Sequence, residues 1–129
     1  MISVRLYDPE DSATHEALGL LFKAHGINLP EGTMPLNGAL AFDDLGLLGC
    51  WWLIGTDGGF GLLENIMFRP GAYIEEAAQM MADLLETIAR QKGLHSVMTF
   101  GPAHLCDRAV ATRGYVKVGE KLTAIYKVL

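Results

Sequence analysis

Apolar and polar residues alternate from Ile2 to Tyr7, with Ile2, Val4 and Leu6 on one side and Ser3, Arg5 and Tyr7 on the other. That period of two predicts a strand with one buried face. Asp8-Pro9-Glu10-Asp11 follows: a capping acid, a proline where a missing N–H is harmless, and acids where a helix dipole favours them. A helix is therefore expected from Pro9 to His25, burying Ala13, Ala17, Leu20, Leu21 and Ala24, with Gly26 as its left-handed stop. Pro30, Gly32 and Pro35 rule out a regular helix between Ile27 and Asn37, which reads as a loop. A loop of that length either lies over a ligand or is a surface connection.

Gly38 to Phe42 and Leu47 to Ile54 read as the strands of a hairpin turned by Asp43-Asp44-Leu45-Gly46, and Thr56-Asp57-Gly58-Gly59 marks the next turn. Trp51 and Trp52 must point to opposite faces of their strand, so one is core and the other lines a groove or packs. Leu62 to Phe68 is a further apolar strand. It leads through Arg69-Pro70-Gly71-Ala72 into a long amphipathic helix with Ile74, Ala77, Ala78, Met81, Leu85, Ile88 and Ala89 on one stripe. Glu75, Gln79, Asp83, Glu86 and Arg90 fall mostly on the other face. A strand from Leu94 to Phe100, a short helix around His104 to Arg113 closed by Gly114, and a final hairpin about Gly119-Glu120-Lys121 complete the chain. The order is β-α-β-β-β-α-β-α-β-β. This predicts an α/β (α+β) fold with a mixed, mostly antiparallel sheet of six to seven strands flanked by helices.

Composition narrows the function classes. At 129 residues, half of them hydrophobic, the chain is long enough for one domain spanning 1–129 and too short for two. A net charge of −5 without any basic cluster argues against nucleic acid or an anionic membrane as partner and leaves room for a cationic amine. Cys50 and Cys106 have no ligand-like spacing and read as two reduced thiols. His15, His25 and His95 likewise suggest no metal site. With no signal-like leader and no apolar run long enough for a membrane span, a cytoplasmic protein is expected.

Four local motifs within that order are distinctive. Ala41-Phe42-Asp43-Asp44-Leu45-Gly46-Leu47-Leu48-Gly49, Phe68-Arg69-Pro70, Ala89-Arg90-Gln91-Lys92-Gly93 and Arg113-Gly114-Tyr115 together resemble the GCN5-related N-acetyltransferase (GNAT) superfamily over essentially the whole chain, in a size similar to short phage-borne members. The resemblance implies acetyl-CoA as co-substrate, with pantetheine along the strand backbone at Ile66, Met67 and Phe68. It places the pyrophosphate at Arg69, Tyr73, Ile74 and Ala78, where the long helix opens. A small-molecule or protein amine would enter under the loop from Ile27 to Asn37, and a homodimer would be compatible. Glu64, four residues before Phe68, stands where many members keep a general base; it also fits an ordinary strand-end carboxylate.

Two departures from the family pattern matter chemically. The phosphate loop of the family, Arg/Gln-x-x-Gly-x-Gly/Ala, is represented by Tyr73-Ile74-Glu75-Glu76-Ala77-Ala78, where only Ala78 fits. Two acids there stabilise the helix start but repel a pyrophosphate, by on the order of 0.5 to 1 kcal/mol per charge pair at ~8 Å, so weakened binding of the cofactor is expected. The tyrosine that many members use as the acid for the leaving thiolate is replaced by Val110, leaving Tyr73, His104, Cys106 or water. The expectations are thus an N-acetyltransferase with Glu64 as base or, alternatively, a catalytically impaired binding or structural module of the same fold.

Overall fold

The computed structural model describes residues 1–28, 36–118 and 124–129. Its elements are β1 (Ser3–Leu6), α1 (Ser12–Ala24), β2 (Asn37–Asp43), β3 (Gly46–Gly55), β4 (Phe60–Phe68), α2 (Glu75–Gln91), β5 (Ser96–Phe100), α3 (Ala103–Arg113), β6 (Val116–Lys117) and β7 (Ala124–Val128). This is the expected order. The seven strands lie in the sequence β1-β2-β3-β4-β5-β7-β6. β4 and β5 are parallel, whereas β1–β2, β5–β7 and β6–β7 are antiparallel. The sheet is therefore mixed, because the α2 crossover returns the chain in the direction of β4 while hairpins reverse it. Most of the loop from Ile27 to Asn37 and the turn at Gly119-Glu120-Lys121 lie outside the described residues.

Chain contacts group into two compact units. One comprises Met1–Trp52 and Asn65–Leu85, the other Leu53–Glu64 and Glu86–Leu129, so that β3, β4 and α2 each contribute to both. The core of the first is a cluster of Tyr7, Leu18, Leu21, Phe22, Leu40, Cys50, Trp52 and Met67. Trp52 is its centre. It is fully buried, with Tyr7 edge-on at 5.3 Å and Phe22 at 6.5 Å between ring centroids. A Cβ on Gly38 would stand 2.2 Å from the Trp52 ring, which fixes glycine there. Trp51, on the opposite face, is only half-buried, so the two tryptophans divide as their alternation requires.

Two local expectations need correcting. The helix does not begin at Pro9. Asp8 to Asp11 closes a turn of its own, and Asp11 is the cap, accepting from the Thr14 backbone N–H at 3.2 Å. The buried face is Thr14, Leu18, Leu21 and Phe22, leaving Leu20 66% exposed. The larger Leu18 and Phe22 side chains bury more apolar area than a stripe of alanines, and that decides the helix rotation. At the end of β1, likewise, Tyr7, the residue just past the strand, is buried against Trp52 while Leu6 is 47% exposed, because the aromatic pair outweighs the alternation.

In the second unit the surprise is Glu86. Helical periodicity places it on the polar face of α2, but its side chain is 2% exposed and ion-paired on both oxygens, with Arg113 at the end of α3 and with Lys127 of β7 at 2.7 Å. One carboxylate between two cations ties three elements that the sequence separates widely. Glu86→Ala is expected to cost about 3 kcal/mol, because it removes the carboxylate that two mostly buried cations share. Thermal denaturation should read this as a drop of roughly 10 °C. A change of a degree or less would show that the cluster is not what joins α2, α3 and β7.

Candidate functional site

The candidate site is built on the second half of β4 and the turn that follows it. Up to Leu63 the strand is ordinary, pairing in parallel with β5 from Phe60↔Ser96 to Leu63↔Thr99. At the last pair the Thr99 hydroxyl donates to the Leu63 carbonyl at 2.9 Å. Two residues on, Asn65 has φ 56°, the one left-handed non-glycine among the described residues. Asparagine tolerates this conformation better than most L residues, and in mid-strand it re-aims the peptide groups that follow. Glu64 stands half-buried immediately before this break.

Beyond Asn65 the peptides have defined directions. The Arg69 N–H donates to the Leu48 carbonyl of β3 at 2.8 Å. In a trans peptide the adjoining Phe68 carbonyl then points away from β3. By strand alternation Ile66 presents its N–H and carbonyl to that same outer side, while Met67 faces β3. The Gly49 contact agrees: a Cβ there would meet the Met67 carbonyl oxygen at 2.6 Å, so β3 runs close along Met67 only because residue 49 is glycine. The outward Phe68 carbonyl accepts a hydrogen bond from His25 Nε2 at 2.7 Å, an imidazole at the C-terminal end of α1.

The turn is held from the opposite side. The Arg69 guanidinium donates to both carboxylate oxygens of Asp43, through Nη1 to Oδ1 at 3.0 Å and through Nη2 to Oδ2, and Nη1 also reaches the Leu47 carbonyl at 3.2 Å. The Arg69 side chain, expected at the cofactor, thus braces the β2–β3 hairpin against the end of β4. A 2.9 Å bond from the Ala72 N–H to the Arg69 carbonyl and Gly71 at φ 74° then turn the chain toward α2. Tyr73, half-exposed, sets its ring edge-on to Phe68 at 5.0 Å. The Ile74 carbonyl accepts from the Ala78 N–H at 3.1 Å, so the helical amides begin just after Ile74. The two first-turn acids differ: Glu75 accepts from the Gln79 side chain one turn on, at 3.2 Å, whereas Glu76 is exposed.

The other reactive groups have plainer settings. Burial pushes the Cys50 thiol up to about 12, so it stays protonated at neutral pH. Cys106 is buried in α3, its Sγ 3.7 Å from the Gly101 carbonyl, and burial and then the neighbouring Asp107 charge raise its thiol as well. Val110 lies partly exposed on α3 and His104 is exposed near the start of that helix. Among the described residues no helix is long and apolar enough to cross a membrane. Sequence reasoning missed Asn65, Asp43 as the partner of Arg69, and His25. The polar pair Glu64-Asn65 inside an apolar strand was the available signal for the first; the other two meet β4 across 26 and 43 residues and leave no local signature.

With this geometry in view, comparison with solved structures is informative. No family sequence model and no curated protein sequence matches the chain. An acetyltransferase of the GNAT family from Staphylococcus aureus superposes with a TM-score of 0.63 at 13% identity, over 100% of this chain and 99% of that one. N-acetylglutamate synthase from Neisseria gonorrhoeae, complexed with coenzyme A and N-acetylglutamate, gives 0.67 at 16% identity over 100% of this chain and 35% of its own. A Mycobacterium tuberculosis protein in complex with CoA gives 0.70 at 16% identity, covering 91% and 73%. The fold is that of the GNAT acetyltransferases.

The Asp43–Arg69 brace makes a testable statement about pH. The hydrogen bond from Arg69, the largest influence, holds the Asp43 carboxyl below its usual 3.8. A depressed carboxylate contributes stability that is fully present above the unfolded-state value and fades as pH falls through the folded-state value. Asp43→Asn should therefore lower Tm at neutral pH, and the gap from wild type should close as pH falls below about 3. A gap that stays constant with pH would remove the ion pair from the stability of this turn.

Proposed function

We propose that the chain is a divergent GNAT acetyltransferase that takes an acetyl group from acetyl-CoA and passes it to an amine of a small molecule or a protein. One observation carries the reading. β4 breaks at the left-handed Asn65 and then presents Ile66 and Phe68 peptide groups away from β3, just before a glycine turn into a long helix. Such an edge can pair with the amides of an extended pantetheine as a neighbouring strand would, while the first amides of α2 take the pyrophosphate. Solved structures of the same fold that hold CoA support this use of the scaffold.

In this reading Glu64 accepts a proton from the substrate ammonium. The neutral nitrogen attacks the thioester carbonyl, the C–S bond breaks, and the second proton of the attacking nitrogen passes through water to the departing thiolate; Val110 has no proton to give. Tyr73, Ile74 and Ala78 border the pyrophosphate, and Arg69 acts through the turn it braces. A second reading, a binding or structural module without turnover, is favoured by Glu76 at the helix opening and by Val110. Calorimetry separates the two: acetyl-CoA and CoA should bind with measurable heat and raise Tm, and silence at millimolar ligand would rule out the enzyme.

Two substitutions probe the parts. Glu76→Gly should tighten CoA binding about fivefold or more, because it removes a charge that repels a doubly charged group, and Glu76→Gln should share the gain without the added chain flexibility. Unchanged affinity in both would show that Glu76 does not face the phosphates. Glu64→Gln should lower kcat by roughly two to four orders of magnitude with CoA affinity preserved. An unaffected turnover rate would take Glu64 out of the mechanism.

A further inference from the structure

His25 is the one imidazole in the first unit that reaches a strand peptide among the described residues, and its position is specific. Its ring is carried at the end of α1, where the Gly26 backbone turns left-handed at φ 74° and the Ile27 N–H returns to the Phe22 carbonyl at 3.0 Å. From there Nε2 lies 2.7 Å from the Phe68 carbonyl oxygen. A carbonyl can only accept, so Nε2 carries the proton and donates it. The residue as a whole is exposed, so the ring can turn into solvent without opening the core.

The Phe68 carbonyl is also the outward acceptor at the end of the β4 edge. A ligand lying along β4 as an added strand would place its own N–H about 2.9 Å from that oxygen, which is where Nε2 now sits. We propose that His25 is a donor-site residue that competes with the incoming ligand. It occupies the last β4 acceptor in the free protein and yields it to a pantetheine amide on binding. This rests on the reading of the Ile66–Phe68 edge as the donor strand, and it adds that α1, not only β4 and α2, sets the affinity for the donor. The exchange replaces one N–H···O bond by another with no bond made or broken covalently. Its cost to the ligand is the net worth of the internal hydrogen bond, a factor of about three to ten in affinity.

The experiment is calorimetric titration of the full chain with CoA and, separately, with pantetheine, for wild type, His25→Ala and His25→Gln. His25→Ala should bind both ligands about three to ten times more tightly, and His25→Gln, which keeps an N–H donor, should stay near wild type. In wild type followed by NMR, the His25 Nε2–H signal should lose its hydrogen-bonded shift on addition of CoA. A merely structural latch predicts the reverse: affinity falls together with Tm in His25→Ala, and the imidazole signal does not move. Binding in wild type that is unchanged or weakened in His25→Ala would overturn the role of His25 and leave the acetyl-CoA reading standing. Absence of binding to either ligand in all three proteins would sink both.

Discussion

Every peptide group in a strand must find a hydrogen-bond partner, and β4 meets that requirement in two ways along its length. Through Leu63 its partners are the residues of β5, in a parallel ladder closed by the Thr99 hydroxyl. β3 keeps the other edge, where Gly49 allows the backbones to approach, and beyond the left-handed Asn65 the outward Phe68 carbonyl is taken by a side chain from α1. A strand edge satisfied by an exposed imidazole is one that a ligand can claim. The functional reading depends on this change of partner along the β5-side edge more than on any single reactive group.

Charge placement follows a similar logic of position over composition. The chain is acidic overall, yet two of its carboxylates act as internal fasteners. Asp43 grips Arg69 and fixes the turn ahead of α2; Glu86, fully enclosed, holds Arg113 and Lys127. Neither pair is within helical or hairpin reach in sequence. Of the two acids at the opening of α2, Glu76 is exposed, while Glu75 is drawn along the helix to Gln79. In the proposed reading, a carboxylate at the mouth of the phosphate site weakens the hold on a doubly charged group.

The sequence by itself determined the order of elements, the hairpin turns at Asp43–Gly46 and Thr56–Gly59, the left-handed stops at Gly26 and Gly114, and the stripe of α2. All of these are set by residues within a few positions of one another, through periodicity, capping and glycine's conformational freedom. It also contained the local motifs that resemble the GNAT pattern, which the fold bears out. Only the tertiary structure decided which face of α1 is buried, that Tyr7 rather than Leu6 turns inward, that Glu86 is a core ion, that Arg69 is spent on Asp43, and that His25 reaches Phe68. The reason is physical. Periodicity records which positions can share a face, whereas burial of the largest rings and the pairing of polar groups 26 to 43 residues apart are settled by three-dimensional competition that leaves no periodic trace in the chain.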